Sequence, residues 1–322
     1  MAIIGFHASH ELFAPSALLR HIQQAERAGF GGGMCSDHLH PWTPSQGHSG
    51  YSFAWLGAAL QSTKFSLGTI CCPVFRYHPA IVAQEAATLA EMFPERFWLA
   101  LGTGQALNEH VTGQGWPDKP ERRTMVLEAA KIIQALWRGE IVTRLGKVRV
   151  EAAKVYSRPE KPPLLLGAAT TPETAEWVGS WADGLLTVNM DANTMTKIVE
   201  AFRGGGGKGK PMYLQAMVGY DPDEERAWQA AADNWPIAVL DQTQIQNLET
   251  PERMIAACGT VRPSDIKGKL RVSSDLGQHV AWLQGDLNLG FDRIFLYTIS
   301  GNPERFIDAF GEKVLPACKA SM

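Results

Sequence analysis

Asp37, His38, His40 and Trp42 crowd into one short stretch, Ser36-Asp37-His38-Leu39-His40-Pro41-Trp42, directly after the apolar run Gly33-Met34-Cys35. A carboxylate can fix a ligand, an imidazole moves protons near neutral pH, and an indole offers a flat polarisable face. Each also has a plain structural reading, since Asp37 could cap a turn and a lone histidine is more often structural than catalytic. A second stretch, Leu101-Gly102-Thr103-Gly104-Gln105-Ala106-Leu107-Asn108-Glu109, joins glycines to amide and acid groups. It is neither G-x-G-x-x-G nor G-x-x-x-x-G-K-[ST], so it is no phosphate loop of either kind. Its glycines do let backbone N–H groups approach a flat ligand closely. A third, Ala168-Ala169-Thr170-Thr171-Pro172-Glu173, reads as a helix start with Thr170 and Glu173 at capping-box spacing. That N-terminus is an ordinary cap or an anion site, and the stretch alone does not choose between them.

These groups share a sequence position: each follows a short apolar run. Ile3–Phe6, Phe30–Cys35, Phe65–Ile70, Phe97–Leu101, Leu164–Gly167, Gly184–Val188, Met212–Val218 and Arg293–Tyr297 read as strands. Helical patterns separate them, at Pro15–Ala28, Phe53–Leu60, Ala80–Met92, Glu121–Trp137, Pro172–Trp181 and Pro303–Val314. Ile141 to Val155 alternates valine with basic residues around Gly146 and reads as a hairpin. Such alternation without a composition break predicts a single domain over 1–322 folded as a (β/α)8 TIM barrel, with a helical insertion around 223–272. A doubly wound open sheet with a helical subdomain is the alternative. In a barrel the residues after each strand line one open face, which gathers the Asp37–Trp42 stretch, Cys71 and Cys72, the Thr103–His110 loop, Thr170 and Thr171, and Asn189. By contrast the run Gly204-Gly205-Gly206-Gly207-Lys208-Gly209-Lys210 follows a helix and precedes a strand, so it is expected on the closed face as a flexible connection.

Composition narrows the classes of function. Of the 322 residues 45% are hydrophobic and 20% charged, and the net charge is −3. That balance suits a soluble globular protein and gives no basic surface for nucleic acid or an anionic membrane. No apolar run reaches the ~20 residues that span a bilayer, and the N-terminal residues lack a signal-peptide pattern. Cys35, Cys71, Cys72, Cys258 and Cys318 are odd in number, two of them adjacent, with no C-x-x-C spacing. Reduced thiols in the cytoplasm, no disulfide framework and no metal site are expected. Exposed aromatics among Trp116, Trp177 and Trp181 suggest a homodimer, though core packing would explain them as well.

Ser36-Asp37-His38 with Pro41-Trp42, then Phe75-Arg76-Tyr77-His78-Pro79-Ala80, then Leu101 to Glu109, together resemble the luciferase-like flavin and deazaflavin oxidoreductases. The resemblance runs from Ile3 to about Asn189 and resumes from Leu270 to Phe310, and the F420-dependent glucose-6-phosphate dehydrogenase group is the branch it approaches most. The opening Gly5-Phe6-His7-Ala8-Ser9-His10-Glu11 and the pair Gly50-Tyr51 look more like a subgroup thought to use FMN, so the cofactor is FMN or F420, with FMN favoured.

The resemblance implies a ring at the strand C-termini, contacted by Asp37, Thr69, Ile70, Cys72, Thr103, Gly104 and Asn108, with its phosphate received by Thr170 and Thr171. It implies a cis peptide near Thr69-Ile70. His38 would be the acid/base, Trp42 would lie over the reacting centre, and Gln105 would stand where relatives carry a glutamate. An amide there hydrogen-bonds but carries no proton at neutral pH. His40 has no matched role and is expected at the pocket mouth as a substrate contact; Arg271 matches an arginine that holds a substrate phosphate, whereas Val188-Asn189-Met190-Asp191 lacks the lysine that would complete a sugar-phosphate site. The reaction so implied is hydride transfer between the ring and a small alcohol or carbonyl compound. The alternatives are a reduced-FMN monooxygenase and a non-catalytic flavin-binding protein.

Overall fold

The computed structural model describes residues 2–320. Its frame is a ring of parallel strands that closes on itself. In chain order the elements are β1 (Ile3–Ala8), α1 (Pro15–Arg27), β2 (Gly33–Cys35), α2 (Ser52–Ser62), β3 (Leu67–Cys71), α3 (Pro79–Met92) and β4 (Phe97–Leu101). Then come α4 (Ala106–Glu109), α5 (Lys119–Trp137), the hairpin β5 (Val142–Leu145) and β6 (Arg149–Ala153), β7 (Leu164–Ala168), α6 (Pro172–Gly179), β8 (Gly184–Val188), α7 (Ala192–Phe202) and β9 (Met212–Gly219). The chain ends with α8 (Glu224–Asn234), α9 (Gln242–Asn247), α10 (Pro251–Cys258), α11 (Pro263–Ile266), β10 (Arg271–Val272), α12 (Leu276–Asn288), β11 (Arg293–Thr298), α13 (Pro303–Ala309) and α14 (Leu315–Ala320). Hydrogen bonding runs β1-β2-β3-β4-β7-β8-β9-β11 and returns to β1, eight parallel strands in a closed barrel. β10 adds only two residues, beside Val218 and Gly219 of β9.

The apolar runs that become strands are continuous rather than alternating, because helices cover the outside and side chains fill the inside. Phe97 to Leu101 are all buried. Inside the barrel Met34, Trp98, Ala100, Leu166, Leu186, Tyr213 and Phe295 form one packed layer. Trp98 stacks on Phe295 with centroids 5.4 Å apart and meets Tyr213 edge-on at 5.2 Å. Gly68 makes room for that indole: a Cβ there would lie 2.2 Å from the Trp98 ring. Outside, α1 presents Leu18, His21, Ile22 and Ala25 to the core at helical spacing after Pro15 in its first turn.

Boundaries differ from the sequence expectations where turns intrude. β2 begins at Gly33 because the Phe30 N–H still bonds to the Ala25 carbonyl and Gly29, at φ +94°, turns the chain out of α1. β3 begins at Leu67. The helices α7 and α12 escaped the sequence reading. The glycine run is no slack linker: Arg203–Gly207 continues α7 as a wide helical turn packed on α6, and a Cβ on Gly205 would lie 2.1 Å from the Glu176 carbonyl oxygen. Trp116, Trp177 and Trp181 are half-buried against the core, so they form no exposed aromatic patch.

The cis peptide expected near Thr69-Ile70 is not found; the described peptide bonds are trans. β3 stays in register with β4 through Ile70 opposite Ala100 and Cys71 opposite Leu101, while Thr69 Oγ1 donates to the Cys35 carbonyl. No helix of the described residues is long and apolar enough to cross a membrane.

Candidate active site

A cavity of about 430 Å³ opens at the C-terminal ends of the strands. His38 enters it from the loop after β2, and two other loops fix its position. Asn108 Oδ1 accepts from the backbone N–H groups of Leu39 (2.9 Å) and His40 (3.2 Å). With that oxygen occupied, the Asn108 amide nitrogen faces His38 Nδ1 at 3.1 Å and donates to it. The His40 carbonyl lies 3.3 Å from the same Nδ1. The neutral ring thus finds a donor and the protonated ring an acceptor, without moving.

On the other side, His38 Nε2 lies 3.5 Å from Glu11 Oε1. Glu11 follows β1 and is 1% exposed. Its Oε2 accepts from Ser36 Oγ at 2.5 Å and Ser9 Oγ at 2.9 Å. Burial pushes this carboxyl up, but His38, the Ser36 hydroxyl and His7 outweigh it and leave it below its ordinary value. Beside it, burial drives His7 down to about 3, so its imidazole is neutral. Ser9 Oγ also lies 2.8 Å from the Tyr297 hydroxyl at the end of β11, and the His7 and Tyr297 rings are 4.5 Å apart.

An aromatic wall covers this corner. His38 and Trp42 are 4.9 Å apart by ring centroid, Trp42 meets Trp235 at 5.6 Å, and Trp235 meets Tyr297 at 5.3 Å. Trp235, Ile237, Ala238 and Leu240 come from the segment after α8 and complete the apolar side. Trp42 is held by its backbone N–H to Gln46 Oε1, and Gln46 in turn donates to the Asn234 carbonyl, which ties the loop after β2 to that segment.

At the opposite end Lys119, Thr170 and Thr174 line the cavity. Thr103, Gly104, Gln105 and Glu109 line the side between. Gly104 takes φ +75°, and a Cβ there would press on Glu109 Cγ at 2.9 Å and Cys72 Sγ at 3.0 Å. Glu109 accepts the Arg76 N–H at 3.0 Å, and burial lifts its carboxyl to about 7 against the pull of Arg76.

Three comparisons bear on this site. The model of the luciferase-like monooxygenase family matches residues 4–293. The chain belongs to this family. Two curated relatives are the F420-dependent glucose-6-phosphate dehydrogenase of Beutenbergia cavernae and the F420-dependent hydroxymycolic acid dehydrogenase of Mycobacterium tuberculosis. The first is 33% identical over 99% of this chain and 98% of its own, the second 34% over 97% and 87%. A solved F420-dependent secondary alcohol dehydrogenase in complex with an F420-acetone adduct superposes with a TM-score of 0.90 at 30% identity, covering 98% of this chain and 99% of that one. This luciferase-like protein is therefore a flavin- or deazaflavin-dependent oxidoreductase. All three of these relatives are named for F420, so the preference for FMN drawn from the opening motif gains no support.

The cavity's residues fit a large planar ring with an anionic tail. The glycine turn at 102–104 lets backbone approach, Lys119 with Thr170 and Thr174 supplies a cationic and hydroxyl end, and two buried polar atoms, His7 Nδ1 and Thr187 Oγ1, face the cavity without a partner. Of the residues expected there, His38, Trp42, Gln105, Asp37, Ile70, Cys72, Thr103, Gly104, Asn108 and Thr170 line it.

Others are engaged elsewhere. Thr69 is buried under the Cys35 carbonyl, and Thr171 caps α6 by accepting the Thr174 N–H. His40 Nδ1 donates to the Leu107 carbonyl at 2.9 Å, outside the cavity. Arg271 is forked onto Asp286 at 2.5 and 2.9 Å; Lys269, two residues earlier, lines the cavity instead. Asp37 reaches the cavity wall with its carboxylate already taken: Oδ1 accepts from Ser52 (2.7 Å) and Tyr77 (2.9 Å), and Oδ2 from Arg76 (2.6 Å). Sequence reasoning missed Glu11, His7, Tyr297 and Lys119 as site residues. Glu11 had a signal, since Ser9-His10-Glu11 is a polar cluster directly after a strand.

Proposed function

We propose that this protein oxidises or reduces a small uncharged alcohol or carbonyl compound with F420 as its cofactor, His38 being the acid/base. A bound deazaflavin ring would accept or return the hydride at the substrate carbon. F420 is supported by the names of the relatives described above, and FMN is the alternative cofactor. The observation that carries the reading is the setting of His38, whose Nδ1 is fixed by Asn108 while Nε2 is left to a 3.5 Å contact with Glu11.

An imidazole with a donor for its neutral form and the His40 carbonyl as acceptor for its protonated form can take a hydroxyl proton while the carbinol hydrogen leaves, or give it back to a carbonyl oxygen. Trp42 packs beside His38 with its ring tilted by 57° and adds an apolar surface next to the imidazole. Gln105 hydrogen-bonds without exchanging a proton. The wall beside His38 is aromatic and aliphatic, and Lys269 is among the other residues that line the cavity. Arg271 is spent on Asp286, so a phosphorylated sugar is a poor match.

The test is direct. Titration with F420 and with FMN, followed by turnover of secondary alcohols and ketones, should show tighter binding of F420 and hydride transfer without oxygen uptake. His38→Ala should keep cofactor affinity and lose roughly 10²–10⁴-fold in kcat. Intact turnover in that variant would remove His38 from its role. Oxygen consumption with reduced FMN would favour a monooxygenase.

A further inference from the structure

We propose that Ser9 and Ser36 are positioning residues that keep Glu11 ionised with one oxygen committed, so that the other serves the protonated His38. The inference rests on the reading of His38 as acid/base. Glu11 Oε2 carries both hydroxyl contacts, at 2.5 Å from Ser36 and 2.9 Å from Ser9, whereas Oε1 faces His38 Nε2 alone. The two hydroxyls are themselves fixed. Ser36 Oγ accepts the His10 N–H at 3.1 Å and lies 3.4 Å from His7 Nε2. Ser9 Oγ has one proton, spent on Glu11, and so accepts from the Tyr297 hydroxyl.

No competing cation reaches this carboxylate. His38 is its one ion-pair partner among the described residues. The other titratable groups around it are His7, His10, Cys35 and Tyr297, and burial favours the neutral form of all four. A carboxylate taken wholly out of water is costly unless hydrogen-bonded, and the hydroxyl pair supplies those bonds. Its charge is then matched only when His38 is protonated. During alcohol oxidation the O–H proton would pass to the neutral His38 imidazole, whose new Nδ1–H meets the His40 carbonyl while Nε2–H faces Glu11, and the C–H hydrogen would leave with its electron pair for the bound ring. The carbonyl forms, and Glu11 takes no proton. Reduction runs the same steps backwards.

The experiment compares the wild type with Ser9→Ala/Ser36→Ala and with Ser36→Thr, using the full-length protein. Without cofactor, infrared difference spectra against Glu11→Gln report whether Glu11 is ionised. With cofactor, kcat and KM are followed over pH. We expect the wild-type band to be that of a carboxylate at neutral pH. In the double variant a protonated carboxyl should appear, the acid limb of kcat should move to higher pH, and kcat should drop roughly ten- to a hundredfold at nearly constant KM. Ser36→Thr, which keeps the hydroxyl, should restore the wild-type profile. A wild-type Glu11 protonated at neutral pH overturns the inference even if the double variant does not fold. So does a double variant with an unchanged band and an unchanged pH profile. An active His38→Ala protein would remove the acid/base reading instead, while the infrared result would still report on the serine pair.

Discussion

Asn108 and His38 are joined by a hydrogen bond whose direction is settled by the backbone. Because Asn108 Oδ1 is occupied by the Leu39 and His40 N–H groups, its amide nitrogen must be the donor to His38 Nδ1, and the imidazole proton sits on Nε2. The amide thus selects the tautomer without touching the nitrogen that meets Glu11.

Replacing the donor by an acceptor should reverse that choice. In Asn108→Asp one oxygen still serves Leu39 and His40, but the other requires a proton on Nδ1. We expect kcat to fall at least roughly tenfold with the thermal midpoint little changed, and nitrogen NMR of the His38 ring to show the Nδ1–H form. A variant with wild-type kcat and wild-type ring signals would refute the argument.

Asp37 holds the loops more than it waits for a ligand. Its carboxylate is 1% exposed and pairs with Arg76 at 2.6 Å, so Asp37→Asn leaves a buried guanidinium short of its counter-ion. A loss of about 3–5 kcal/mol in chemical denaturation is expected. A variant that kept its stability and lost only cofactor affinity would show that Asp37 acts on the ligand instead.

Two buried groups near the cavity should tilt stability with pH in opposite directions. Glu109 has a folded value raised from 4.5 to about 7, so between those values the native state holds the extra proton. Stability from this group is present below pH 4.5 and is lost as pH rises through 7, by about 3 kcal/mol. His7 is lowered from 6.5 to about 3, so its contribution is present above pH 6.5 and is lost as pH falls towards 3. Denaturation from pH 4 to 8 should show Glu109→Gln gaining relative to the wild type as pH rises. A constant difference between the two proteins would contradict the shift.

Gly68 is required by volume, not by backbone freedom. A methyl group there would collide with the Trp98 ring at 2.2 Å and displace the layer it forms with Phe295 and Tyr213. Gly68→Ala should cost about 1–3 kcal/mol. An unchanged denaturation midpoint would mean that the barrel interior repacks freely.

The sequence displays the barrel because each strand is a continuous apolar run and each chemical group follows one. The same rule finds His38, Trp42, Gln105 and Asn108, which reach the cavity within their own loops. It fails where a side chain's use depends on a distant partner. Arg271 matches an anion-holding residue by type, yet Asp286 on α12 claims it. His40 carries the right chemistry and turns to the Leu107 carbonyl. Glu11 and Tyr297 become site residues only because β1 and β11 lie side by side, a pairing across 288 positions that no local pattern encodes. The cis peptide near Thr69-Ile70 rests on likeness to relatives and on no local pattern, and the described peptide bonds there are trans.

That pairing of β1 with β11 also orders events during synthesis. The loops bearing His38, Asn108 and Thr170 emerge from the ribosome early, while Tyr297 and the strand that closes the ring come last. A nascent chain stopped before Arg293 leaves the β1 edge open and Ser9 without its tyrosine partner. The corner around His38 can therefore be finished only after β11 has emerged, so a product truncated before it carries His38 without Tyr297 beside Ser9.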